Sequence, residues 1–231
     1  MPDIFILTDA PDSATSSLAL FSSVEMKRAI LADGLEPDEA IRLAGIGSTQ
    51  VEVLFTADPE PARSQLTHPD TILCPLTLNL PEWLQFEGRT VFDACANTFA
   101  LRQRVTNWDY AVGNGRYWQP IVLTMKGALF AEGIASSDHE QTPYLQPLHL
   151  GDAKRQPLYA LGQRLLQVLA ALPGVYLMQF GMDEQQVWFD RLIPFPDAPA
   201  IASVGRQTPD LFECHWRCLT QQPIRDLSII R

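Results

Sequence analysis

The sequence predicts a mixed α/β (α+β) protein, with a small α/β part at residues 1–107 and a second part at 108–231 built on a mixed or antiparallel sheet. Three observations carry this prediction. Short apolar runs at 3–8 (DIFILT) and 51–55 (VEVLF) have strand length and are separated by stretches with helical spacing. Two apolar runs, 121–125 and 128–134, flank a tight Lys126-Gly127 turn, which predicts a β-hairpin. Leu158, Leu161, Leu165, Leu169 and Leu172 then form one apolar stripe with helical period.

In the first part, residues 3–8 read as a buried strand that ends in turn formers. Residues 12–23 are rich in Ser, Thr and Asp and open a helix carried by Met26, Ile30 and Leu31, which Asp33-Gly34 stops. Glu36-Pro37-Asp38-Glu39 starts a short helix over 38–43, with acids in its first turn. Residues 51–55 alternate with period two and form a second strand. A third lies in 71–78, where Pro75 restricts it to an edge or ends it. Residues 89–104 read as strand then helix, and the aromatic, glycine-containing stretch 107–118 as a loop.

In the second part, the hairpin is followed by an exposed polar segment, 136–142, and an edge strand at 144–150 interrupted by Pro147. The leucine-striped helix takes Pro157 as its first residue and ends at Pro173-Gly174. Residues 175–180 and 186–190 form an antiparallel pair, and Pro194, Pro196 and Pro199 mark an extended loop. Thr208-Pro209-Asp210 opens the last helix, with a capping hydroxyl and a proline at the first position. Glu213 and Arg217 stand four apart on it, the spacing of an exposed ion pair.

The chain has 231 residues and a net charge of −10, which argues against nucleic acid as a partner because phosphate backbones need a basic surface. No apolar run reaches the roughly 20 residues that span a bilayer, and Met1-Pro2-Asp3-Ile4 lacks the features of a signal peptide. A cytoplasmic protein is expected, with no membrane insertion. Three of the 17 basic residues are lysines: Lys27, Lys126 and Lys154. Cys74, Cys95, Cys214 and Cys218 form no zinc signature and are read as free, packed thiols. Cys214 and His215 are neighbours on a helix and point about 100° apart, so they are not a nucleophile–base pair. Asp138-His139-Glu140 is read as a solvated loop tip. The paired glycines at Gly45 and Gly47, and at Gly113 and Gly115, are weak phosphate-loop signals and read as turns.

The tail carries a family resemblance. Gly174-Val175-Tyr176-Leu177-Met178-Gln179-Phe180, the second strand at Val187-Trp188-Phe189, the proline loop and Phe212-Glu213-Cys214-His215-Trp216-Arg217 follow one another. That order resembles the C-terminal end of ATP-grasp carboxylate–amine ligases. The last helix is similar to the Thr-Ser-Gln-Phe-Glu-x-His-x-Arg helix of the carboxyaminoimidazole ribonucleotide synthetases, and Pro223-Ile224 stands where that family has Pro-Leu. The resemblance implies an ATP-grasp-like C-terminal lobe and assigns Lys126, Arg191, Glu213 and Arg217 to anion or nucleotide binding. It also marks departures. Aligned on Pro194, the family's magnesium-binding Glu falls on Arg191, and the Arg that follows the family's proline falls on Phe195. The chain is also short for the family's separate lobe over the adenine.

Three readings follow. One is a degenerate ATP-grasp-like protein that needs no cofactor and binds a small anionic ligand or a protein partner. The second is an active ligase using ATP and magnesium, with Asp190 and Glu213 as metal ligands. The third is a protein-interaction module that uses the tryptophans and the Pro194-Phe195-Pro196 loop.

Overall fold

Ile4–Thr8 forms β1, buried along its whole length. Strands with helices and loops on both faces read as continuous apolar runs, which is why IFILT does not alternate. β2 (Val51–Phe55) and β3 (Ile72–Pro75) pair with it in parallel, one on each side, so that Ile4 faces both Val51 and Ile72. β3 ends at Pro75, which has no N–H to extend the ladder. The structure, a computed structural model, describes residues 3–9, 16–32, 51–55, 63–66, 68, 70–139 and 142–230. The helix expected over 38–43, the glycines at Gly45 and Gly47, and Glu140 lie outside them.

α1 (Ser16–Leu31) lies on β1 and buries Met26, Ala29 and Ile30. A single turn, α2 (Arg63–Leu66), supplies Leu66 to a core of Phe5, Leu7 and Leu84. The Arg63 guanidinium lies 4.8 Å from the centroid of the Trp83 ring, which packs partly buried against that core.

The chain divides into Met1–Glu87 and Gly88–Arg231, where the sequence reading divides it at 107/108. The difference comes from residues 89–106. They form two helices, α3 (Arg89–Ala96) and α4 (Thr98–Thr106), in place of the expected strand and helix. Val91, Phe92 and Cys95 are buried on α3, and Leu101 and Val105 on α4, all at helical spacing. The β-branched start Thr90-Val91 suggests a strand locally, but burial of one helix face overrides propensity. Asn97 separates the helices and caps the second, accepting from Ala100 N at 3.0 Å.

The second unit contains a six-stranded sheet: β4 (Tyr117–Thr124), β5 (Gly127–Phe130), β6 (Gly133–Ser136), β7 (Tyr144–Leu148), β8 (Gly174–Met182) and β9 (Val187–Ile193). The order is β7-β6-β4-β8-β9, with β5 paired on the end of β4, and every pairing is antiparallel. The Lys126-Gly127 hairpin forms as expected, and Gly127 takes φ 127° at its tip. α3 and α4 lie against β9, so they belong with this sheet.

α5 (Asp152–Val168) begins five residues before the expected start, and Pro157 sits inside it. Gly151 O accepts from both Lys154 N and Arg155 N, and Asp152 supplies a favourable acid to the first turn. Those contacts start the helix ahead of the proline. Leu158, Leu161, Leu165 and Leu166 are buried, and Tyr159 stacks on Phe130 with centroids 4.1 Å apart. Gly162 lets the helix approach β4: a Cβ there would lie 2.5 Å from Ile121 Cδ1.

α6 (Leu211–Leu219) is capped by Asp210, where the sequence reading gave that role to Thr208. Thr208 instead lies in β10 (Gln207–Thr208), paired with β11 (Ser228–Ile229). Asp210 accepts from Phe212 N and Glu213 N at 2.9 Å, and Glu213 returns the bond by accepting from Asp210 N at 3.1 Å. This capping box uses a carboxylate, which also suits the positive end of the helix.

Candidate functional site

Residues 110–116 are bound tightly to the β8–β9 pair. Gly113 N donates to Phe189 O and Phe189 N to Ala111 O, each at 2.9 Å. Trp188 Nε1 donates to Asn114 O at 2.8 Å and Gln179 Nε2 to Gly115 O at 2.7 Å. Gly115 is required by space: a Cβ would lie 2.1 Å from the Phe180 carbonyl. This backbone approach, not a phosphate cradle, accounts for one glycine of the Gly-x-Gly motif.

At the centre of the clasp is Asp190, 2% exposed. Its Oδ1 accepts from Arg102 Nη2 at 2.5 Å and its Oδ2 from Gly115 N at 2.8 Å. The guanidinium of Arg102 also reaches Asp190 O (3.0 Å), Gly113 O (3.3 Å) and Asn114 Oδ1 (3.0 Å). Arg102 is thus a cation among four oxygens. Arg191 Nε lies 3.4 Å from Asp190 Oδ1, and across the sheet Arg191 registers with Gln179.

The structure brings Asp190 and Arg191 together but keeps Lys126 away. Arg191 registers with Gln179, five residues along β8 from Gly174, and Gly174 pairs with Leu123 just before the hairpin turn. At about 3.3 Å per residue that separates the two positions by roughly 17 Å along the sheet. Glu213 is occupied in the capping box, and Arg217, partly exposed, follows one turn later on α6. Among the described residues no three His, Cys, Asp or Glu side chains are grouped to hold a metal ion. Lys126 lines a cavity of about 450 Å³ together with Pro173, Cys218 and the segment Gln221-Gln222-Pro223-Ile224-Arg225.

Magnesium takes hard oxygen ligands, usually with one or two carboxylates. The position that the resemblance assigns to the metal holds an arginine, faces an amide, and adjoins a carboxylate already bonded to Arg102 and Gly115. These residues do not fit magnesium.

His215 and its neighbouring thiols are core groups. His215 is 4% exposed and its Nδ1 accepts from Val175 N at 3.0 Å. Burial lowers its pKa to about 3, so it is neutral at ordinary pH. Burial raises the Cys214 thiol as well, and pushes Cys218 up to about 12. No thiolate nucleophile arises there. Phe195 is 4% exposed and stacks on Phe92 at 5.9 Å, so the proline loop turns its aromatic ring inward. The sequence does not mark Arg102, and it marks Gly115 only as part of a turn and Gln179 only as part of a strand. Arg102 sits in an ordinary helical stretch, and its partners are 11 to 88 residues distant. The Gly113-x-Gly115 pair, Asp190 and Arg191 are the parts of this region that the sequence marks, as a turn, a metal candidate and an anion-binding candidate.

A parallel three-stranded sheet followed by a unit with a six-stranded antiparallel sheet and these helices is an ATP-grasp-like α/β fold. Solved structures share it. N5-carboxyaminoimidazole synthetase from Staphylococcus aureus complexed with ADP matches with a TM-score of 0.71 and 8% identity, covering 99% of this chain and 80% of its own. N5-carboxyaminoimidazole ribonucleotide synthetase from Thermus thermophilus matches at 0.70 and 12%, covering 96% and 79%. Glycinamide-RNase-transformylase T from Mycobacterium tuberculosis matches at 0.65 and 16%, covering 96% and 80%. No family model and no curated protein matches the chain. At such identities the likeness is one of fold. Among the described residues, no helix is long and apolar enough to cross a membrane.

Proposed function

We propose that this chain is a degenerate ATP-grasp-like protein that binds a small anionic ligand without ligase chemistry. The observation that supports this most is the Arg102–Asp190–Gly115 clasp beside Arg191. A ligase of this class needs a divalent cation to bridge and neutralise phosphate charge. Here the carboxylate nearest that position is already paired with a fixed guanidinium. The inward-turned Phe195 makes the interaction-module reading weaker, since its proposed contact residue is part of the core.

The test is a thermal-shift titration with ATP and ADP, with and without magnesium. A ligand that binds only the native state raises the melting temperature by mass action. No magnesium-dependent rise is expected at millimolar nucleotide. A clear magnesium-dependent rise, together with turnover that Asp190→Asn abolishes, would instead establish the active ligase.

A further inference from the structure

The cavity beside Lys126 lies at the opposite end of the sheet from the Asp190 clasp. Its walls are the hairpin turn at Thr124, Met125 and Lys126, then Pro173 before β8, Cys218 at the end of α6, and residues 221–225. Two charged residues line it, Lys126 and Arg225, and both are basic. In a chain of net charge −10, an all-cationic lining is a local inversion of sign. Neither side chain makes an ion pair among the described residues. From the geometry, we infer that this cleft binds a small doubly charged oxyanion on an apolar body, an organic phosphate monoester or a dicarboxylate.

The two cations come from separately anchored segments. Thr124 Oγ1 accepts from Lys126 N at 3.1 Å and donates to Gly127 O at 2.9 Å, which fixes the turn. Across the cleft, Gln222 N donates to Arg217 O at 2.7 Å, and the β10–β11 pairing holds the chain again at Ser228. Arg225 is therefore tethered on both sides. Cations presented from two walls suit two negative charges, or one phosphate dianion held between them. Met125, Pro173, Pro223 and Ile224 supply apolar surface, and Thr124, Gln221 and Gln222 add polar groups. A volume of about 450 Å³ is the size of a small-ligand site.

One feature opposes an anion: the C-terminus of α6, whose carbonyls carry partial negative charge. Three of those carbonyls already accept hydrogen bonds: Thr220 N donates to Trp216 O, Gln221 N to Cys218 O and Gln222 N to Arg217 O. Two full positive charges outweigh the remainder. The ligand is held without covalent chemistry, since the Cys218 thiol is buried and protonated.

This inference rests on the anion-binding reading above and assigns it a place. The test is calorimetric titration of the full chain at pH 8 and constant ionic strength with inorganic phosphate, phenyl phosphate and phthalate. Phenyl phosphate or phthalate should bind more tightly than inorganic phosphate, and the stronger of the two identifies the ligand class. Lys126→Ala and Arg225→Ala should each weaken binding about tenfold, and the double variant should give no heat. Both side chains are exposed, so the variants' ligand-free melting temperatures should equal that of the unaltered chain. Binding that survives in the double variant overturns this assignment and leaves anion binding elsewhere intact. No heat with any of the three probes overturns it too, and the nucleotide thermal shift then decides the broader reading by itself.

Discussion

The Asp190 carboxylate joins three parts of the second unit: α4 through Arg102, the 110–116 segment through Gly115, and β9 by its own backbone. Removing it leaves the Arg102 guanidinium, only about a quarter exposed, without its charged partner. Asp190→Ala should therefore cost about 3 kcal/mol in urea denaturation, near the lower end for a broken buried pair. Asp190→Asn should cost less, because its amide oxygen still accepts from Gly115 N. His215 makes a prediction about pH. Its folded pKa, about 3, lies below the unfolded value of about 6.5. The stability it contributes is complete above pH 6.5 and is lost as pH falls towards 3, since only the unfolded state gains the proton. Between pH 6.5 and 5 the loss should be about 2 kcal/mol. His215→Asn keeps an acceptor for Val175 N and cannot titrate, so its urea midpoint should vary less over that range.

Among the elements, β1, β2 and the Lys126-Gly127 hairpin were legible because each signal is local: an apolar run, an alternation, a tight turn. The start of α5 was not, since Pro157 is a strong first-turn marker and the contacts that begin the helix earlier are weak signals in sequence. Residues 89–104 misled for a related reason: a β-branched pair looks like a strand until one face is buried. The Arg102–Asp190 clasp was illegible because its partners are 88 residues apart. Close approach decides two further outcomes at this scale. Gly115→Ala places a methyl group against the Phe180 backbone, which cannot move aside as a side chain would, so the clasp should open. A loss of about 3 kcal/mol or more is expected, measurable by urea titration. Leu165→Ala, at a fully buried position of α5, should cost about 2–5 kcal/mol by the same measurement.

Among the described residues the first unit holds a parallel three-stranded sheet, and the second holds an antiparallel six-stranded sheet and the short β10–β11 pair. The three-stranded and six-stranded sheets each have their own covering helices, and α3 and α4 belong with the six-stranded one. Residues 88–231 should therefore fold as an independent fragment, with cooperative urea unfolding and a near-native circular dichroism spectrum. A fragment that begins at residue 108 lacks the Arg102 guanidinium and the helices on β9, and should be markedly less stable. Among charges, the chain carries a net −10, whereas the charged residues lining the cleft, Lys126 and Arg225, are both basic.

The four buried cysteines give the two units built-in clocks. Cys74 is in the first unit, and Cys95, Cys214 and Cys218 are in the second. All four have thiols pushed well above their ordinary range by burial, so the closed protein presents no thiolate to an alkylating reagent. Cys74, Cys95 and Cys214 become reactive only when their own surroundings open, whereas Cys218 also lines the cleft. Iodoacetamide added to the native protein, with peptide mapping over time, would then compare how readily Cys74 in the first unit and Cys95 and Cys214 in the second open to solvent, without a mutation or an attached label.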